Sequence, residues 1–104
     1  MQEPQAALTA AAEAMRALAD ETRLHLLQVL VRQPLCVCDL ASEVGVSQPL
    51  VSHHLKTLKG AGLVACRHEG ARVYYAVRTE AFRDLGLESL WRPGALLGPP
   101  AEEA

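Results

Sequence analysis

A mainly helical fold with one small β-hairpin, α+β by class, is predicted by three observations. Apolar residues recur at helical spacing in four successive segments before Gly60, and two short β-type runs flank Gly70-Ala71. Aromatic residues are too scarce for a large sheet core, since only Tyr74, Tyr75, Phe82 and Trp91 are present. The 104 residues, half of them hydrophobic, amount to one domain whose core must come from Leu, Val and Ala. So small a domain buries a limited share of its surface, and help from a second copy is expected.

Ala7 to Leu18 is Ala-rich and sets Leu8, Ala11, Met15 and Leu18 on one face of a first helix. Asp20 or Glu21 opens a second, which groups Leu24, Leu27, Leu30 and Val31 before Pro34 ends it. A short third helix follows Cys36 to Cys38, with Leu40, Ala41 and Val44 inward and Gly45 as its stop. Ser47 caps a fourth, whose Val51, Leu55 and Leu58 face the core while Gln48, Ser52, His53 and Lys56 point outward. Leu63 to Glu69 and Arg72 to Val77 then read as a hairpin around Gly70-Ala71. A last helix is expected over Glu80 to Leu90, weakened by Gly86. Residues 1–6 and 92–104, with their Pro, Gly and acidic content, are expected to be disordered tails.

Helix, glycine turn, helix and an Arg-bearing hairpin is the order of a winged helix-turn-helix, so residues 7–91 are expected to form one DNA-binding and dimerisation domain. The second helix of such a pair enters the major groove of double-stranded DNA. Ser47, Gln48, Ser52 and His53 carry side chains suited to base edges, while Lys56 and Arg72 suit phosphates or the minor groove. A formal charge of -2 argues against a nucleic-acid partner, but the charge is segregated. From Ser47 to Arg78, Lys56, Lys59, Arg67, Arg72 and Arg78 face Glu69 alone, a local net of about +4. That face should bind phosphates with a salt-sensitive affinity.

No apolar stretch approaches a membrane span, so the chain is expected in the cytoplasm with its three cysteines reduced. Cys36 and Cys38 are then candidate ligands or redox groups, whereas Cys66 is expected to be a small buried hydrophobe. Thiolates are soft, so the pair selects arsenite, antimonite, cadmium, lead or copper(I) over hard cations. At a helix N-terminus the dipole should lower a thiol pKa. Side chains at i and i+2 oppose each other on a helix, so binding both sulfurs to one ion is expected to unwind the first turn. Cys66 should lie two strands away, roughly 10 Å, leaving a small thiol, hydroxide or water as third ligand. His25 and His68 read as surface residues. Ser52 beside His53 does not make a catalytic pair, because neighbours on a helix do not face each other, and no phosphate loop or paired carboxylates appear; an enzyme is not expected.

The segments ALADETRLHLLQVL, LCVCDLASEVGVSQPLVSHHLKTLKGAGLV and GARVYYAV together resemble the ArsR/SmtB family of metalloregulatory repressors, from about Ala17 to Val77. The resemblance implies a homodimer, joined through its first and last helices, that represses by binding operator DNA and leaves when a metal binds. It also raises His53 above His54 as a DNA contact. The family's CVC-D-L ligand motif of arsenite and cadmium/lead sensors maps onto Cys36, Cys38 and Asp39. Ala41 stands where arsenite sensors often carry a third cysteine, and residues 1–16 hold neither the Cys nor the His of a cadmium-type arm. Thr79, Glu80 and Ala81 do not supply the zinc-type pattern of the last helix. A thiol-based redox or persulfide-sensing repressor and a metal-blind dimerisation module are the alternatives on the same fold.

Overall fold

The computed structural model describes residues 4–92, 94–95 and 97–98. Helix α1 spans Pro4–Leu18, α2 Glu21–Leu30, α3 Val37–Val44, α4 Gln48–Gly60 and α5 Thr79–Asp84. Strands β1 (Leu35–Cys36), β2 (Val64–Glu69) and β3 (Arg72–Val77) form one antiparallel sheet in the order β1-β3-β2. The architecture is therefore mainly α with a small hairpin wing, as the sequence predicts.

The start of α2, the end of α3 and the start of α4 each have a local cause. The Asp20 carboxylate accepts the Arg23 backbone N–H at 3.0 Å and so caps α2. Ser47 caps α4 by accepting from Leu50 N–H at 3.4 Å, and Pro49 occupies its first turn. Between α3 and α4 the chain must reverse within three residues, and Gly45 does so at φ 77° while its N–H returns to Ala41 O at 2.8 Å. This turn fixes the angle at which α4 is presented.

The core is one cluster. Leu26, Leu27 and Leu30 of α2, Leu40 of α3, and Val51, Leu55 and Leu58 of α4 close on Leu63, Val64 and Phe82. Truncating any of these leucines to alanine costs about 2–5 kcal/mol through lost transfer energy and an unfilled cavity. Helix α1 meets this core through Ala14 and Ala17, whose small side chains allow close approach, rather than through Leu8 and Met15. Those two remain 70% and 46% exposed, whereas Leu18 of the same expected face packs against the core.

Three boundaries differ from expectation. Helix α1 begins at Pro4, not Ala7, because proline is tolerated where no N–H is required; residues 1–3 lie outside the described residues. The single last helix over Glu80 to Leu90 is instead α5, a turn, and a 3₁₀ segment over Glu88–Trp91. Gly86 at φ 73° makes the break: its N–H donates to Arg83 O at 2.9 Å and Leu87 N–H to Phe82 O at 2.7 Å, a Schellman closure. Beyond Arg92 the chain turns back, with Leu97 buried and its N–H donating to Leu90 O at 3.1 Å. Residues 93, 96 and 99–104, also expected to be disordered, lie outside the described residues.

Candidate functional site

Cys36 is the residue before α3 and has extended backbone, φ -80° and ψ 164°, while Cys38 sits in the first helical turn. That change of conformation between them overturns the expectation that the sulfurs oppose each other. Their Sγ atoms lie 3.1 Å apart, both as free thiols. The Asp39 carboxylate is 4.0 Å from Cys38 Sγ, and the ligand atoms of Cys36, Cys38 and Asp39 all fall within 4.8 Å of one another. A soft ion with metal–sulfur bonds of about 2.3 Å wants its sulfurs about 3.8 Å apart in a tetrahedral site. The pair needs only to spread slightly, and α3 need not unwind.

Cys36 is buried, whereas Cys38 and Asp39 face solvent. The expected drop in thiol pKa is reversed at Cys38. Its hydrogen bond with Cys36 raises it first, partial desolvation next, and then the negative charges of Cys36 and Asp39, against a smaller lowering by Arg72. A proton shared between two close sulfurs outweighs the weak field of a short helix.

Helix α4 displays Ser47, Gln48, Ser52, His53 and Lys56 on its exposed side, and Arg72 is exposed at the start of β3. His54 is not with them. It is buried, and its Nδ1 accepts from Arg23 Nη1 at 3.2 Å. Arg23 also donates to Ala17 O and lies 3.8 Å from Asp20, so His54 belongs to a latch joining α1, α2 and α4. Leu50, by contrast, is 44% exposed on α4 and was not anticipated; an apolar residue one step off the core stripe was the available signal.

Strand order separates Cys66 from the pair as expected. Cys36 is the register partner of Tyr74 and Cys66 that of Tyr75, with β3 between them. Cys66 is half-buried rather than a core residue, and Lys59 Nζ donates to its sulfur at 3.2 Å. That contact keeps the Lys59 ammonium pKa above its usual value, through the hydrogen bond first and the charge second.

A cavity of about 220 Å³ joins the two parts of the site. Cys36, Val37 and Cys38 line one side of it, and Gln48 of α4 with Ala71, Arg72 and Val73 of the wing line the other. The thiol pair and two residues chosen from sequence as DNA contacts thus share one space. Larger cavities beside α1, one lined by Glu13, Arg16 and Arg23 and another by its alanines and α5, contain no soft ligand.

Residues 20–65 match the family model "Bacterial regulatory protein, arsR family". The chain is 50% identical over 66 residues to a transcriptional repressor SmtB homologue of Synechocystis sp., covering 64% of this chain and 50% of that one. It is 40% identical over 75 residues to a cadmium resistance transcriptional regulatory protein CadC homologue of Staphylococcus aureus, covering 71% and 62%. The chain therefore spans about half to three fifths of the length of these curated relatives. Among solved structures, a homodimeric winged helix-turn-helix DNA-binding domain from Mycobacterium bovis aligns with a TM-score of 0.73 at 34% identity, covering 82% of this chain and 80% of that one. With its winged helix-turn-helix, its CVC-D-L segment and these matches, the chain belongs to the ArsR/SmtB family of metalloregulatory transcriptional repressors.

Proposed function

We propose that the chain represses transcription as a homodimer on double-stranded operator DNA and is released when a soft metal or metalloid binds Cys36 and Cys38. Arsenite or antimonite is the first effector class, cadmium or lead the second. The observation that carries this is the pair of sulfurs 3.1 Å apart in a cavity that Gln48 and Arg72 also line.

The exposed face of α4 enters the major groove, where Ser47, Gln48, Ser52 and His53 take base edges while Lys56 and the wing's Arg72 hold backbone phosphates. An effector bound to both sulfurs sits against the wing and the first residue of α4, so it favours a form whose reading elements no longer fit the groove. A tenfold loss of operator affinity needs only about 1.4 kcal/mol of differential binding. The similarity to a cadmium resistance regulator supports cadmium as an effector here. The exposed α1 residues Leu8 and Met15 and the homodimeric relative support the dimer.

The same sulfur separation favours one second reading, a redox or persulfide sensor, because neighbouring thiols are readily oxidised together. Titrating reduced protein on its operator with arsenite, cadmium and a persulfide donor in turn separates the two. Release by arsenite or cadmium in the presence of reductant is the expected result. Release by the persulfide donor alone would replace the metal reading with the redox one.

A further inference from the structure

Arg72 and Tyr74 lie two residues apart on β3 and so share one face of the sheet. Tyr74 is the register partner of Cys36, which sets Arg72 beyond the end of β1, where α3 begins with Cys38 in its first turn. The cavity at this corner is also lined by Gln48, the first residue of α4. Its volume of about 220 Å³ exceeds by severalfold the roughly 30 Å³ that one water occupies, so a small bound centre with an oxygen substituent fits.

We propose that Gln48 and Arg72 hold the effector as well as the DNA, and that the effector they fit is one that keeps a hydroxyl after both sulfurs have bound it: arsenite or antimonite rather than a bare divalent cation. This rests on the function proposed above. Neutral As(OH)₃ exchanges two hydroxyls for two thiols. Each S–H proton leaves with a hydroxyl as water, two As–S bonds replace two As–O bonds, and arsenic stays trivalent with its third hydroxyl in place. That oxygen accepts from the Arg72 guanidinium and the Gln48 amide, both donors. Cadmium, having displaced two protons, keeps only coordinated water, which donates rather than accepts, and takes the Asp39 carboxylate as a further ligand. Effector and DNA thus compete for two side chains, which ties release to binding without unwinding α3.

The test measures arsenite and cadmium affinity of the reduced full chain in the absence of DNA, by thiolate charge-transfer absorption, for the unaltered protein, Gln48→Ala, Arg72→Ala and Lys59→Ala. Thermal unfolding of each variant accompanies it. Gln48→Ala and Arg72→Ala should each weaken arsenite binding by about three- to tenfold, the scale of one hydrogen bond. Cadmium affinity should hold for Gln48→Ala and hold or rise for Arg72→Ala, which removes a like charge. Lys59→Ala, a cation lost from the same helix away from the cavity, should leave arsenite affinity unchanged. Arsenite affinity indifferent to both substitutions, or falling in parallel with that of cadmium, would overturn the sharing while leaving the thiol site standing. No arsenite bound by the unaltered chain would end both this inference and the metalloid reading beneath it.

Discussion

His53 and His54 are adjacent on α4, yet the first is exposed and the second buried against Arg23. Their substitutions should separate cleanly. His53→Ala is expected to weaken operator binding by about 1–3 kcal/mol and relax sequence preference, with little effect on unfolding. His54→Ala leaves the Arg23 guanidinium short of an acceptor and should cost about 1–3 kcal/mol of stability. Operator titrations and urea denaturation of the two variants read the two effects, and a stability loss confined to His53→Ala would reverse their roles. Helical periodicity was enough to turn Val51, Leu55 and Leu58 inward, and His53 with Lys56 outward. It could not name Arg23 as the partner of His54, 31 residues away, because that contact exists only once α1, α2 and α4 pack. Nor could it bring Cys36 and Cys38 together, since their approach depends on where α3 starts to within one residue.

Helix ends were more legible than helix lengths. Asp20, Ser47 and Gly45 act as their residue types dictate. Gly86 announced trouble in the last helix without revealing that it would end it, because a mid-pattern glycine either weakens a helix or closes it according to what packs next. Here Phe82 is held in the core and edge-on to Trp91, 4.6 Å between ring centres, so the chain turns at Gly86 to bring Trp91 back. The cap at Asp20 gives a pH test. Its carboxyl pKa is lowered, first by the backbone N–H of Arg23; burial opposes this next, and the positive charge of Arg23 adds a smaller lowering. A depressed folded pKa contributes stability that is present above the unfolded value of about 4 and lost as pH falls through the folded one. Asp20→Ala should therefore cost about 1 kcal/mol at neutral pH, and the gap from the unaltered protein should close below about pH 4. A gap constant down to pH 2 would mean that the carboxylate charge plays no part in the cap.

For the molecule as a whole, fold class, wing and helix-turn-helix followed from the order of elements, whereas the residues through which α1 meets the core did not. Leu8, Ala11, Met15 and Leu18 read from sequence as one apolar face, but α1 meets the core mainly through Ala14 and Ala17, and a groove of alanines lies between α1 and α5. Close packing of small residues explains why the larger ones are turned away, and a second copy is the proposed cover. Replacing Leu8 and Met15 together by glutamate should convert a dimer at micromolar concentration into a monomer by light scattering and abolish operator binding. A dimer that survives would place the interface elsewhere. The local positive charge from Ser47 to Arg78, on a chain of formal charge -2, further predicts operator affinity that falls steeply as salt rises.

The central claim is that one pair of sulfurs couples effector to DNA, and operator binding by three single cysteine variants tests it most directly. Cys36→Ser and Cys38→Ser should bind the operator as the unaltered protein does and stay bound when arsenite or cadmium is added. Cys66→Ser, whose sulfur sits two strands away beside Lys59, should be released as readily as the unaltered protein. Release that persists in Cys36→Ser and Cys38→Ser, or that vanishes in Cys66→Ser, would contradict the account.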